Sequence, residues 1–284
     1  MNILIVIPHY YNAGSGGYGA TDPYGQSDRL GALRTCILSL HQHLGNRQSI
    51  IPYTGKPLIE ANRLLSHQLD IRVCVTGTCH LLDQLDLSPD LYRQQAVDLD
   101  NPLALGYACH AMLQKEWGRY DWYCYLEDDI IISDPLFFDK LTLFQQAAGS
   151  DCCLLQPNRY ELERTTGWKN YIDGDLWESN LMEQVAGFRP QQAAVQIEIP
   201  FGTTHYSMRL AGNPHAGCFF LTAAQFGIMM AQPWFGCYSE AFCGPMESAA
   251  SLGIMSLFHV YKPAREHAAF LEVRHAHQRY VSAQ

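Results

Sequence analysis

A basic excess is the first thing missing from this chain, which carries 19 Lys and Arg against 28 Asp and Glu, a formal net charge of -9 at pH 7. Proteins that draw affinity from neutralising a phosphate backbone show the opposite balance, so nucleic acid is excluded as the expected partner. No run of ~20 apolar residues is present to span a bilayer, so no transmembrane segment is expected. The opening Met1 to Pro8 has neither a basic stretch nor a small-residue cleavage site. It reads as a strand rather than a signal peptide, which makes the cytoplasm the expected location. Cys-x-x-Cys pairs are absent among the ten cysteines, and Cys36, Cys74, Cys124, Cys153, Cys218 and Cys243 sit in or beside apolar segments. Buried thiols are therefore expected in place of a disulfide framework or a zinc site. The glycines between Gly14 and Gly19 lack the Gly-Lys-Ser/Thr of a P-loop and the Gly-x-Gly-x-x-Gly of a dinucleotide turn.

Apolar material is plentiful: 48% of the 284 residues are hydrophobic, 12% aromatic and 17% charged, enough for a packed interior. Ile3 to Ile7 is a continuous apolar run closed by Pro8, as in a strand buried on both faces of a parallel sheet. A Gly- and Tyr-rich loop follows. Leu30, Leu33, Ile37, Leu40 and Leu44 then predict a helix capped by Ser27 or Asp28 and stopped at Gly45. Further on, the pattern predicts a helix over 57–68, a strand over 71–75, a helix over 103–117 and a strand over 122–126. A helix is expected after Pro135, then strands at 152–155 and 218–221, a helix capped by Thr222, a helix over 245–252 and a strand over 256–261. Strands alternating with helices predict an α/β fold with a mostly parallel central sheet flanked by helices. We expect a single domain over 1–284, with a nucleotide-binding half (1–156), an acceptor half (157–284) and an irregular insertion at about 157–216.

Glu127-Asp128-Asp129 directly follows the strand ending at Leu126. Open α/β sheets bind ligands at the carboxyl ends of their strands. Three adjacent acids there repel one another unless a cation or donor compensates. Mg²⁺ and Mn²⁺ are suited, since they take one or two carboxylates and complete their shell with water and substrate phosphate. The plainer alternative is that Asp128 caps the next helix, Glu127 is solvated and Asp129 alone belongs to a site.

The order of the Ile/Val-rich first strand, the helix from Arg29 to Leu40 and the motif Tyr-Leu-Glu-Asp-Asp resembles GT-A-fold glycosyltransferases, most closely the family 2 type. In that fold an aspartate-rich motif, usually written DxD, binds Mn²⁺ or Mg²⁺ and the diphosphate of a nucleotide-sugar. The resemblance implies that Asp129, Glu127 and His275 ligate the metal, with His277 as the rival histidine. It also implies that Glu127, Asp128, Pro8, His9, Tyr10, Tyr11, Arg29 and His215 contact the donor, with Asn213 to Leu221 as the turn and strand beside the sugar. Gly244-Pro245-Met246-Glu247-Ser248 is similar to the motif that supplies the catalytic base, with Ser in place of its second acid. Glu247 is then the base, or simply a first-turn helix acid favoured by the macrodipole. His275 and His277 are either one face of a metal site or a surface pair near the terminus.

Two segments have no counterpart in the resembling family. Residues 12–26 are expected to form a lid over the donor. The insertion offers Trp168, Tyr171, Asp173, Asp175, Trp177 and Glu178, either an acceptor site or ordinary core. The expected activity is metal-dependent transfer of a sugar from a UDP- or GDP-sugar to a carbohydrate or other hydroxyl acceptor. Charge logic agrees, because a cation offsets charge on the leaving diphosphate while a carboxylate takes the acceptor proton. The alternatives are a sugar-nucleotide nucleotidylyltransferase and a non-catalytic carbohydrate-binding protein of the same fold.

Overall fold

The computed structural model describes residues 1–12, 25–53, 55–174 and 194–280. Its first strand, β1 (Asn2–Pro8), is buried from Ile3 onward, and alternate side chains enter two different cores. Ile3, Ile5 and Ile7 pack with Leu33, Cys36, Ile37 and Leu40 of α1 (Gln26–His43). Leu4 and Val6 pack on the other face with Leu105, Cys109, Met112 and Leu113 of α2 (Leu105–Lys115). This double burial explains why the run is apolar throughout and not alternating. It stabilises the strand by about 2 kcal/mol for each fully buried aliphatic side chain.

After α1 the chain makes a small hairpin, β2 (Ser49–Ile50) and β3 (Ile59–Glu60), and then enters β4 (Gln68–Thr76) and β5 (Arg93–Val97). Beyond α2 come β6 (Trp122–Leu126), β7 (Ile130–Ile131), α3 (Phe137–Ala148) and β8 (Cys153–Leu155). Next are β9 (Asn158–Leu162), β10 (Lys169–Tyr171), β11 (Gln196–Phe201) and β12 (Thr204–Leu210). The chain closes with β13 (Cys218–Thr222), α4 (Ala223–Met230), α5 (Pro245–Leu257), β14 (His259–Pro263) and β15 (Glu272–His275). The central sheet has the order β13-β6-β1-β4-β5, parallel except for β13, which runs against β6. Two further sheets, β10-β9-β15-β7 and β11-β12-β14-β8, gather the later strands. The expected α/β class and mostly parallel sheet are therefore present. Among the described residues, no helix is long and apolar enough to cross a membrane.

Several local expectations need correction. No helix forms over 57–68: the segment holds β3, a turn with Asn62 at φ 54°, and the start of β4. The helix-like spacing of its leucines reflects exposed side chains, not a buried stripe. The described part of the insertion is not irregular, since β9 to β12 lie in it. Neither Ser27 nor Asp28 caps α1. Its N-cap is Gly25, and Gly45 serves through close approach, because a Cβ there would stand 2.9 Å from His41 O. Helix α5 runs past Leu252 to Leu257, with Gly253 allowing Met229 to pack against it. The expected capping of α4 is present as a full capping box between Thr222 and Gln225. All ten cysteines are free thiols, and of the six expected to be buried only Cys243 is exposed.

Gly217 links this architecture to the acidic strand end. It sits at φ +65°, its carbonyl accepts the Glu127 N–H at 2.9 Å, and a Cβ there would meet Glu127 Oε2 at 2.8 Å and Ile130 at 3.2 Å. Gly217→Ala is expected to cost about 2 kcal/mol, from left-handed backbone strain plus overpacking. Urea unfolding measures it, and a loss below ~0.5 kcal/mol would show that the turn relaxes freely.

Candidate active site

The parallel strands β1 and β6 end side by side, and the first residues beyond them meet. His9, fully buried, accepts the Leu81 N–H at Nε2 (3.1 Å), so its Nδ1 carries the hydrogen directed at Asp128 Oδ2 (2.5 Å). Arg29 of α1 reaches the same oxygen at 3.0 Å. Asp128 thus ties the end of β1 and the start of α1 to the end of β6 and does not cap the following helix. His9, Arg29 and Asp128, expected to contact the donor, are brought together, and what they engage is one another. Pro8 ends β1, and Tyr10 and Tyr11 follow at partly buried positions beside this cluster.

Asp129 faces the other way. Short strand β7, directly after the acids, pairs antiparallel with β15 in the register His275↔Ile130. The Ala276 N–H also donates to Asp129 O at 2.8 Å. This pairing sets His275 Nε2 3.3 Å and His277 Nε2 3.8 Å from Asp129 Oδ2. Both histidines are buried, at 7% and 5% exposure, which removes the reading of them as a surface pair.

Glu161 is the partner that sequence reasoning missed. Fully buried on β9, it accepts His275 Nδ1 at 2.8 Å and the backbone N–H groups of Arg279 and Tyr280 at 3.2 and 3.0 Å. A carboxylate taking those donors fixes Nδ1 as the donating nitrogen and points Nε2 at Asp129, the arrangement that orients metal-ligating histidines. The only signal for it was one acid inside the strand Asn-Arg-Tyr-Glu-Leu.

Glu127 and Asp129 end with different charges. Asp129 lies well below the usual carboxylate range: burial works against ionisation, but His275, Arg29 and His277 outweigh it. His275 is correspondingly raised to about 9, the pull of Asp129 and Glu161 overcoming its burial. His277 is lowered from its ordinary value by burial in spite of Asp129. Glu127 is pushed up to about 8 by burial and then by the Asp129 charge, with a smaller contribution from Glu247. Glu127 is therefore neutral at pH 7 in this state. Glu247, half-buried in the first turn of α5, is close enough to act electrostatically on both Glu127 and the buried Tyr125 hydroxyl.

Two carboxylate oxygens here, Asp129 Oδ1 and Glu127 Oε1, are buried without a hydrogen-bond partner, an unusual state for such atoms. They fit a cation. Among the described residues no three His, Cys, Asp or Glu side chains are gathered to hold an ion by themselves.

Behind the acids lies a second charged group. Arg159, two residues before Glu161 and on the same strand face, holds Asp173 through two hydrogen bonds of 2.8 and 3.2 Å. Lys262 stands 3.6 Å from Asp173 and donates to His215 O at 2.5 Å. His215 Nδ1 lies 2.9 Å from Ser251 Oγ of α5, and burial together with the Arg159 charge pushes this histidine down to about 3. Asp173 is thus engaged inside the protein, while Trp168 and Tyr171 are exposed. Asp175, Trp177 and Glu178, and residues 13–24 of the expected lid, lie outside the described residues.

No protein-family profile and no curated protein sequence matches the chain. Solved structures similar to it are glycosyltransferases. S. aureus TarS 1-349 in complex with UDP-GlcNAc is 9% identical, with 96% of this chain and 58% of that one covered and a TM-score of 0.41. The galactosyltransferase LgtC with donor and acceptor sugar analogues is 10% identical, with 92% and 73% covered and a TM-score of 0.38. Mouse xyloside xylosyltransferase 1 in its apo form is 11% identical, with 92% and 85% covered and a TM-score of 0.37. The chain spans 36% of the length of TarS and 60% of TarS 1-349.

Burial pushes Asp173 up, but Arg159 and Lys262 reverse this and hold it at about 2. A carboxyl lowered from 3.8 contributes stability that is complete above pH 4 and is lost as pH falls through 2, about 2 kcal/mol in all. Asp173→Asn should flatten the fall in stability between pH 4 and 2. Urea titrations of both proteins at each pH check it, and parallel curves would show that the pair carries no such linkage.

Proposed function

We propose that this chain is a GT-A-type glycosyltransferase that moves a sugar from a nucleotide-diphosphate donor to a hydroxyl acceptor with the help of Mg²⁺ or Mn²⁺. The observation that carries the proposal is the meeting of Asp129 and His275 at the end of two parallel strands, beside buried carboxylate oxygens that lack partners. Asp129 and His275 would hold the cation, and Glu161 keeps Nε2 of His275 directed at it. The histidine leans the choice toward Mn²⁺. A bound cation supplies Lewis-acid charge to a leaving diphosphate.

The remaining residues have separate tasks. Asp128, clamped by His9 and Arg29, sets the position of Asp129 and closes the end of β1, where Tyr10 and Tyr11 offer ring faces to a nucleotide base. Glu127, which carries its proton without a cation, would release it beside one and could then turn its unpartnered Oε1 toward the ion. Glu247 takes the proton of the acceptor hydroxyl, a reading supported by its position in the first turn of α5 and its electrostatic effect on Glu127. His215 lines the sugar side through the turn that ends in Gly217. UDP- and GDP-sugars are the donors to try first, and the acceptor is a carbohydrate or another hydroxyl compound, reached in the cytoplasm.

Three variants test these assignments in calorimetry with Mn²⁺ and in nucleotide release from a panel of sugar donors. Asp129→Asn should abolish metal-dependent donor binding, and wild-type Mn²⁺ affinity in it would remove the site. Glu161→Gln should keep the fold but weaken Mn²⁺ roughly 10- to 100-fold. Glu247→Gln should leave donor binding intact and slow transfer about 10²- to 10⁴-fold. Pyrophosphate release instead of nucleoside diphosphate would favour nucleotidyl transfer, and binding without turnover a carbohydrate-binding role.

A further inference from the structure

The hairpin between α1 and β4 buries almost nothing. Ile50, Ile51, Tyr53, Leu58, Ile59 and Leu64 are all exposed, with Ile51 at 81%, Tyr53 at 104% and Leu64 at 97%. Ile50 and Ile59 are direct cross-strand partners, so both project from one face of the two-stranded sheet. Large apolar side chains left in water along one short segment in this way mark an interaction surface.

Charge indicates what covers it. Within residues 46–53 and 55–66, Arg47, Lys56 and Arg63 are exposed, against Glu60 as the one acid, on a chain whose overall charge is -9. Exposed apolar side chains sharing a short segment with exposed basic ones suit the headgroup region of an anionic bilayer, which would repel the rest of this protein. A second copy of the chain is a poorer occupant. A two-fold pair would set the same three cations against themselves. Pro52 directly follows the residue after β2 and Pro57 lies two residues before β3, and prolines at strand ends block edge-to-edge pairing.

We infer that the β2–β3 hairpin docks the protein on an anionic lipid surface, independently of the glycosyl-transfer reading. The hairpin leaves the end of α1 and rejoins the sheet where Gln68 pairs with Asn2, at the amino ends of β1 and β4. The acidic cluster is at the carboxyl ends, one strand length or ~20 Å away. Docking therefore leaves the candidate site open to water.

Sedimentation of the full chain with vesicles of phosphatidylcholine alone, and of phosphatidylcholine mixed with phosphatidylglycerol, tests this. The chain should sediment with the mixed vesicles and less so as salt is raised. The double variant Ile51→Ser, Leu64→Ser should lower partitioning about tenfold or more with an unchanged melting temperature, since both side chains are in water already. Lys56→Glu with Arg63→Glu should lower it at low salt. Failure to bind mixed vesicles, or equal binding by the serine variant, would overturn the inference. So would a vesicle-free dimer that the serine variant dissociates, which would assign the patch to a second copy.

Discussion

The ion pair of Asp129 with His275 is the constraint around which the other parts of the site are arranged. Three adjacent carboxylates at the end of a buried strand cannot all remain charged out of water without compensation. The fold answers differently for each. Asp128 receives a hydrogen from His9 and a guanidinium from Arg29. Asp129 draws a histidine from a distant strand. Glu127, left without a cation of its own, keeps its proton. Removing the His275 side would leave buried Asp129 with only the smaller pulls of Arg29 and His277, so the register of β7 on β15 is as much an electrostatic requirement as a hydrogen-bonding one.

The same reasoning extends to the group behind the site. Arg159 and Glu161 project from one face of β9, so a single strand supplies a cation to Asp173 and a carboxylate to His275. Buried charges of this kind are retained only when paired and hydrogen-bonded, and both pairs are held within or beside the β10-β9-β15-β7 sheet. Lys262 reaches the turn that carries His215, and that turn presses Gly217 against Glu127. The two peripheral sheets are thereby fastened to the central one through the site itself.

Strands β1, β4 and β6 were legible because they are buried on both faces and α1 because it shows one apolar stripe, patterns that survive in a single sequence, whereas the exposed edge strand β5 has no such pattern and was missed. Thr222 with Gln225 was readable as a cap for the same local reason. The hairpin after α1 misled because Leu58, Ile59, Leu64 and Leu65 have helical spacing, although Pro57 and the turn at Asn62 prevent a helix. In the insertion a signal existed and was missed. Ile197, Ile199 and Phe201 alternate, as do Tyr206, Met208 and Leu210, on either side of Gly202 and Thr203, a strand-turn-strand pattern. For the site, the acids and both histidines were visible as residue types. What joins them is strand register across widely separated positions, which no local pattern encodes, and Glu161 was lost for that reason.

The distance along the chain between Asp129 and His275 bears on how the molecule comes into being. During synthesis β1, β4 and β6 emerge first and can pair at once, whereas β15 emerges much later. Throughout that interval the acids at the end of β6 lack the histidine that compensates one of them, and β7 lacks its partner strand. The nascent sheet thus carries an unsettled, charged end, and completion of its fold and formation of the Asp129–His275 pair are a single late event.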